Sequence, residues 1–552
     1  MTALICALNT KYIHSSLSAW YLKAKLKELY PSSECGIYEA TINESEEKLL
    51  DEILKRDFEI IGFSTYIWNI SLVLSISKRL KQIKDVKILL GGPEVSYNAK
   101  ELLESYPFID YIISGEGEVP FAMLCGGEAE PSQIDGLCYR DNGSIIVKPP
   151  FVTSEDPPTP YSDEYFETLD GRISYIETSR GCPYSCAFCL SGRCGGVRFF
   201  DISTSKRNIL LLANSGSKTI KFIDRTFNAD KKRAKELFSF IIDNSYDKIP
   251  DDVCFHFEIE GDILDDETLE ILSRAREGLF QMEIGLQTFN PMALVAINRR
   301  TNMERLCENV KKLLALKNIH IHIDLIAGLP YETLESFEQG FNKAVSMRAH
   351  VVQLGFLKLL YGSDMREKRE LYPCEYNASA PYEVVSTPWI SSRELELLHT
   401  IEDFFDKFYN SGRFRRTEQY IFENVENAFK FYTGLAFFVK ENQKSRSLDE
   451  LSRCVYEYLC SQPFLDRKKV RDFMAMDRLA TNRMGALPEF LKIHSPMLKE
   501  YLNLLDQNPK THAKKGVKRA ITLLESENAF VYVDYDSNNP VTKEYKIIKY
   551  II

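Results

Sequence analysis

The chain has 552 residues, 44% of them hydrophobic and 27% charged, enough for roughly three or four domains with large cores. Its formal net charge of −10 argues against bulk nucleic acid as a partner. The 13 cysteines are scattered apart from one cluster; an odd count with no regular framework excludes a disulfide-stapled secreted fold and points to a reducing cytoplasm. The start, Met1-Thr2-Ala3-Leu4-Ile5-Cys6, has no basic segment ahead of its apolar run, and no stretch of about 18 apolar residues predicts a membrane span.

Residues 1–127 alternate short apolar runs with amphipathic segments. Strands are predicted at Ala3–Leu8, Gly36–Ala40, Glu59–Ser64, Val86–Leu90 and Tyr111–Ser114, and helices over Ser16–Leu29 and from Ser45, an N-cap before an acidic first turn. This alternation predicts an α/β fold with a doubly wound parallel sheet. Such sheets bind ligands at the carboxyl ends of their strands. Those ends carry Ser64-Thr65-Tyr66, Gly91-Gly92-Pro93-Glu94 and Gly115-Glu116-Gly117-Glu118, where glycines let a backbone approach a flat ligand. No G-x-G-x-x-G follows the first strand, so a dinucleotide is not favoured.

Residues 128–170 read as a connector, with a hairpin turn at Asn142-Gly143 and a proline-rich stretch, Ser154–Tyr161. Residues 171–370 form a second strand–helix series. Its predicted strands are Arg172–Thr178, Lys221–Asp224, Cys254–Glu260, Gln281–Gln287, His320–Ile326 and Val351–Leu357. The first runs into Cys182-Pro183-Tyr184-Ser185-Cys186-Ala187-Phe188-Cys189. Three thiolates spaced C-x3-C-x2-C can hold three irons of a [4Fe-4S] cubane and leave the fourth iron open to a small chelating molecule. A zinc site with Cys194 as a fourth ligand is the competing reading; a single compact cluster without a nearby His fits it less well.

Residues 385–552 change character, with a mostly helical domain ending in a hairpin. Helical periodicity runs over Arg393–Tyr409, Glu418–Lys440, Leu448–Cys460, Lys468–Asp477 and Met497–Asn503. The Phe stripes 404, 405, 408, 429, 431, 437 and 438 read as core. Asp472, Asp477, Arg478 and Arg483 read as solvated helix faces, and Lys514, Lys515, Lys518 and Arg519 form a local basic patch.

At its cysteine motif the chain resembles the radical S-adenosylmethionine (SAM) superfamily, and residues 1–127 resemble the cobalamin (B12)-binding domain that precedes many of its members. The resemblance implies a Rossmann-like cobalamin domain at 1–127 and a partial (β/α)6 radical SAM barrel at 171–370. It extends to a C-terminal extension of uncharacterised function at 385–552. It implies a [4Fe-4S] cluster on Cys182, Cys186 and Cys189, with SAM near Phe188, Glu258, Gln287, Arg299 and Gly328. Cobalamin is implied near Ser64, Tyr66, Gly91, Gly92, Gly115 and Glu116. The D-x-H-x-x-G cobalt-ligand motif is incomplete: His14 is present, but its Asp and Gly are not. Without the Asp nothing fixes the ring tautomer, so packing or capping roles weigh more than ligation.

The implied function is a cobalamin-dependent methyltransferase acting on an unactivated carbon. Its electron donor would be a flavodoxin or ferredoxin, and a small molecule or peptide is favoured as substrate. Rearrangement or cyclisation, an N-terminal domain that no longer binds cobalamin, and a non-catalytic iron–sulfur redox sensor are the alternatives. The sequence designates no catalytic residue.

Overall fold

A computed structural model describes residues 2–483, 486–498, 500–501 and 520–551. The basic patch at 514–519 and residues 499, 502 and 503 of the expected 497–503 helix lie outside the described residues, as does the Cys194 side chain.

The N-terminal strands are β1 (Ala3–Asn9), β2 (Cys35–Thr41), β3 (Ile60–Ser64), β4 (Lys87–Gly91) and β5 (Tyr111–Ile113). They pair in parallel in the order β2-β1-β3-β4-β5. Helices such as Leu17–Leu29 and Ile70–Ile83 cover the two faces, so β1 and β3 are buried on both sides and read as unbroken apolar runs. The order reverses between β1 and β3, which puts the ligand crevice at their carboxyl ends. The sheet does not end at residue 127. The hairpin β6 (Leu137–Asp141) and β7 (Ser144–Ile146) adds two antiparallel strands beside β5, turning on Asn142 and Gly143 at positive φ. The first part of the expected connector is therefore sheet edge.

The next strands are β8 (Ser174–Ile176), a ribbon of β9 (Ser179–Gly181) with β10 (Val197–Phe199), then β11 (Thr219–Phe222), β12 (Cys254–Ile259), β13 (Phe280–Gln287), β14 (Ile319–Ala327) and β15 (Val351–Phe356). Six of them form one parallel sheet in the order β15-β14-β13-β12-β11-β8. Burial alternates strictly along β13 and β14. One face, including Phe257, Phe280, Ile284, Ile321 and Ile323, packs under the helices in the main core. The other face carries His256, Glu258, Gln281, Glu283, His320, His322 and Asp324 and lines the barrel lumen.

After the short β16 (Glu375–Tyr376) and β17 (Val384–Ser386), five α-helices between Ser392 and Thr481 pack on one another, and one of them, Ala428–Asn442, packs against the barrel helix Leu334–Ser346. The chain closes in a three-stranded antiparallel sheet, β18 (Ile521–Leu524), β19 (Ala529–Asn538) and β20 (Tyr545–Ile551). The expected hairpin is thus two strands of a meander. Phe404, Phe405, Phe408, Phe429 and Phe431 are core, whereas Phe437 is exposed. Asp472 and Asp477 are not solvated: each is 1% exposed. Asp477 accepts from Thr417 and Arg416, and Asp472 from Arg471 and the 525–526 backbone. Among the described residues no helix is long and apolar enough to cross a membrane.

Candidate active site at the barrel mouth

The cysteine loop leaves the end of β8, where barrels place their chemistry. All three thiols are free and half-buried. The loop backbone is fixed from two sides. Ala187 N–H donates to the Ile297 carbonyl at 2.9 Å, the Ala187 carbonyl accepts from Met365 N–H at 3.0 Å, and Asn298 donates to Ser185. Gly181, at φ +98°, lies so close to the Gly196 carbonyl that a Cβ there would overlap it. Below the loop, Asp224 is 1% exposed and accepts from Thr178 N–H, Thr178 Oγ1 and Ser179 Oγ. Burial pushes its carboxyl up to about 6. Asp224 therefore orients the strand that feeds the loop instead of facing a ligand.

Of the residues expected near SAM, Phe188 belongs to this loop and Arg299 reaches it, while Gln287, Glu258 and Gly328 lie on or at the ends of barrel strands. Phe188 packs partly buried on the main core. Arg299 lies 3.8 Å from Cys186 Sγ and pairs with Glu260 at 2.8 Å. Burial raises the Cys186 thiol, and the Arg299 guanidinium works against that rise. Arg299 Nε and Glu260 Oε1 are buried without hydrogen-bond partners. Burial lifts Glu260 to about 7. Gln287 ends β13 at φ +70°, in the left-handed region, a position such residues hold only when the surroundings impose it. Its amide occupies the space a Cβ on Gly285 would fill. Glu258 faces the lumen 3.7 Å from both Lys221 and Arg225. Gly328 ends β14 at φ +85° beside Val384.

Glu332, which follows the Gly328-Leu329-Pro330 turn, accepts from Thr288 Oγ1 and so ties the end of β14 to the end of β13. It is 2% exposed, its second oxygen has no partner, and burial lifts it to about 8. The folded protein therefore binds this proton more tightly than the unfolded chain between about pH 4.5 and 8, and stability falls as pH rises through that window. Glu332→Gln removes the charge, so its urea midpoint should decline less between pH 5 and 8. Above pH 8 the variant should be the more stable form by roughly 1–3 kcal/mol. Parallel pH profiles for the two proteins would disprove the assignment.

On the N-terminal sheet, Ser64 Oγ stands 3.2 Å from Ser18 Oγ. Tyr66 stacks on the exposed Trp68 at 4.3 Å. A Cβ on Gly91 would meet nothing within 4 Å, whereas one on Gly92, at φ +113°, would strike the Thr65 backbone. Gly115 and Glu116, also expected near cobalamin, are engaged with other parts of the chain. Gly115 is packed against the Phe151 backbone, and Glu116 is paired at 2.8 Å with both Arg180 and Arg198. His14 sits 2.6 Å from the Tyr175 hydroxyl of β8; burial, then Lys11, Lys221 and Arg172, lower its pKa. The sequence reading missed Tyr175, the place of Glu260 beside Arg299 and the polar face of β14. The alternation His320-Ile321-His322-Ile323-Asp324 was the available signal for the last.

Three family models match: B12 binding domain over 4–124, Radical SAM superfamily over 176–344, and Protein of unknown function (DUF4080) over 370–537. A parallel sheet with an open switch point, joined to a six-stranded barrel with a three-cysteine loop, defines the class. The chain carries a B12 binding domain and a radical SAM domain, followed by a DUF4080 domain. It is 24% identical over 338 residues to the cobalamin-dependent radical SAM methyltransferase TokK of Streptomyces tokunonensis, covering 56% of this chain and 48% of TokK. It is 24% identical to the anaerobic magnesium-protoporphyrin IX monomethyl ester cyclase of Rubrivivax gelatinosus, covering 73% of this chain and 75% of the cyclase. The chain spans from 46% to 64% of the length of the first three curated relatives it matches. The fold is that of OxsB, a cobalamin-dependent SAM radical enzyme solved with aqua-cobalamin and SAM. The TM-score is 0.61 at 14% identity, covering 94% of this chain and 82% of OxsB.

The residues present fit the groups these families imply. Three free thiols share one pinned loop. A buried guanidinium and a carboxylate with unpartnered atoms stand next to Cys186. Gly91 opens on free space at the sheet's ligand edge.

Proposed function

We propose that this chain is a cobalamin-dependent radical SAM enzyme that methylates an unactivated carbon of a small molecule or peptide. The observation that carries the reading is that loops at the carboxyl ends of the N-terminal sheet's strands pack directly onto the barrel. The β1 loop meets β8 through His14 and Tyr175, and Arg172 pairs with Glu39. Beyond β5, Glu116 and Glu118 hold Arg180 at the root of the cysteine loop. Beyond β4, Glu94 bonds Tyr382 and Tyr97 packs on Gly362.

When bound, the cluster supplies the electron that cleaves SAM, and cobalamin carries the methyl group. The chain's own residues supply placement. Cys182, Cys186 and Cys189 would ligate the cluster. Arg299 and Glu260 would meet the carboxylate and amino ends of SAM, while Phe188, Gln287, Glu258 and Gly328 would shape its pocket. Ser64, Tyr66, Gly91 and Gly92 would cradle cobalamin; Gly115 and Glu116 would hold that cradle to the barrel, and His14 would stay off the metal. A flavodoxin or ferredoxin in the cytoplasm would deliver electrons. Ring formation is the second reading, favoured by the coverage of the match to the cyclase.

The product ratio separates the two. With reductant, cobalamin, SAM and substrate, methylation gives 5′-deoxyadenosine and S-adenosylhomocysteine in about a one-to-one ratio, because one SAM makes the radical and another recharges cobalamin. Deoxyadenosine without S-adenosylhomocysteine under full turnover would rule out methyl transfer and leave cyclisation or rearrangement. S-adenosylhomocysteine alone would mean a methylase that never frees the radical. No SAM cleavage at all would leave a redox sensor.

A further inference from the structure

The barrel lumen is built in polar layers that strand register fixes. Lys221, His256, Gln281 and His320 stand side by side on β11 to β14. One layer nearer the mouth stand Glu258, Glu283 and His322. In the next, Gly285 lies beside Asp324, and the Gln287 amide fills the space a side chain on Gly285 would take.

Glu283, His322 and Asp324 each offer one ligand atom, and the three atoms lie within 4.8 Å of one another. His322 and Asp324 are two apart on one strand, so both point to the same face. His322 Nε2 and Asp324 Oδ1 are 2.9 Å apart, yet both atoms are buried and their geometry falls short of a well-formed hydrogen bond. A plain ion pair would leave that donor and acceptor unsatisfied, at a cost of about 1–3 kcal/mol each. A shared cation would satisfy both. Glu283 is already oriented from behind: His256 Nε2 lies 3.0 Å and Lys221 Nζ 3.3 Å from its Oε2. A ligand carboxylate held by an outer hydrogen-bond partner is how metal sites are built. Three carboxylates, Glu258, Glu283 and Asp324, share this region with two fixed cations, Lys221 and Arg225.

We propose that Glu283, His322 and Asp324 form a divalent-metal site inside the barrel, separate from the cysteine loop. One imidazole and two carboxylates suit manganese, iron or zinc in place of a thiophilic ion. An ion there would sit about 2.0–2.2 Å from each ligand atom. Three protein ligands leave positions open toward the lumen, as in catalytic rather than structural sites. The site does not depend on methyl transfer; it holds equally for a cyclase or a rearrangement enzyme.

The test uses the full chain with its cluster in the oxidised, diamagnetic form, stripped of loose metal by a chelator and titrated with Mn2+. The free Mn2+ signal is followed by room-temperature electron paramagnetic resonance. We expect one Mn2+ bound per chain, displaced by Zn2+, and binding weakened more than about tenfold in Asp324→Asn and in His322→Gln. Iron content and thermal melting of the variants show whether they are folded. Should they misfold, wild-type crystals soaked in Mn2+ decide, with an anomalous peak expected between β13 and β14. No Mn2+ or Zn2+ uptake by the wild type, uptake unchanged in folded variants, or an anomalous peak only elsewhere would overturn the proposal.

Discussion

Replacing any one of Cys182, Cys186 or Cys189 by Ala should remove the broad visible absorbance of the anaerobically purified protein. Iron should fall from about four per chain toward none, and SAM cleavage to background. The effect should be this large because three thiolates are the minimum that holds the cubane while leaving one iron open, so no reserve ligand exists. The variants should still fold. The loop is held by backbone bonds at Ala187 and by Asn298 on Ser185, none of which uses a thiol. Cys182 makes one polar contact, to Thr226 Oγ1 at 3.3 Å, and Cys189 accepts one from Ser191 N–H, so Ala costs little in packing. Loss of iron with an unchanged thermal melt is therefore the expected pair of results. Cys194→Ala is the control and should keep both colour and SAM cleavage. Equal loss there, or stoichiometric zinc in the wild type, would replace the open-iron site with a four-thiolate knuckle.

The sequence marked the cysteine loop because its chemistry is local: three ligands within eight residues. The strands were legible for the same reason, since apolar runs and alternation are properties of a single segment. What was illegible depended on register between segments. Glu283, His322 and Asp324 sit on strands already recognised, but only the pairing of Glu283 with His322 and Gly285 with Asp324 shows that they converge. Glu116 stood at a strand end, where a ligand contact was the natural reading; its partners Arg180 and Arg198 lie 64 and 82 residues away. Asp472 and Asp477 were misread as solvated because a buried carboxylate needs partners, and theirs come from 416–417 and 525–526, far along the chain. The hairpin turn at Asn142-Gly143 was legible, but not its place on the edge of the first sheet.

Arg180→Ala should be the most damaging substitution outside the cysteines, and it bears on how the two domains work as one. Arg180 precedes Gly181-Cys182 and binds Glu116, Glu118 and Glu177, each at 2.8 Å. Glu116 and Glu118 belong to the N-terminal domain and Glu177 to the barrel, so one guanidinium fastens both to the base of the cysteine loop. All four side chains are at least four-fifths buried. Burial raises Glu177, and Arg180 is what allows it to carry charge. Removing the cation strands buried carboxylates, which costs about 3–5 kcal/mol. Arg198 still covers Glu116, but among the described residues no other cation pairs with Glu118 or Glu177. The penalty should be greatest at neutral pH and above, and should shrink as pH falls and the stranded carboxyls take up protons. Lys at this position restores the charge but not the forked donors, so it should recover only part of the loss. The cysteines are untouched, so iron content should hold and 5′-deoxyadenosine should still form. S-adenosylhomocysteine formed per deoxyadenosine should fall, because methyl delivery depends on how the sheet is seated over the barrel. An Arg180→Ala protein that melts like the wild type and keeps the one-to-one product ratio would show that the domains are aligned by something other than this clamp.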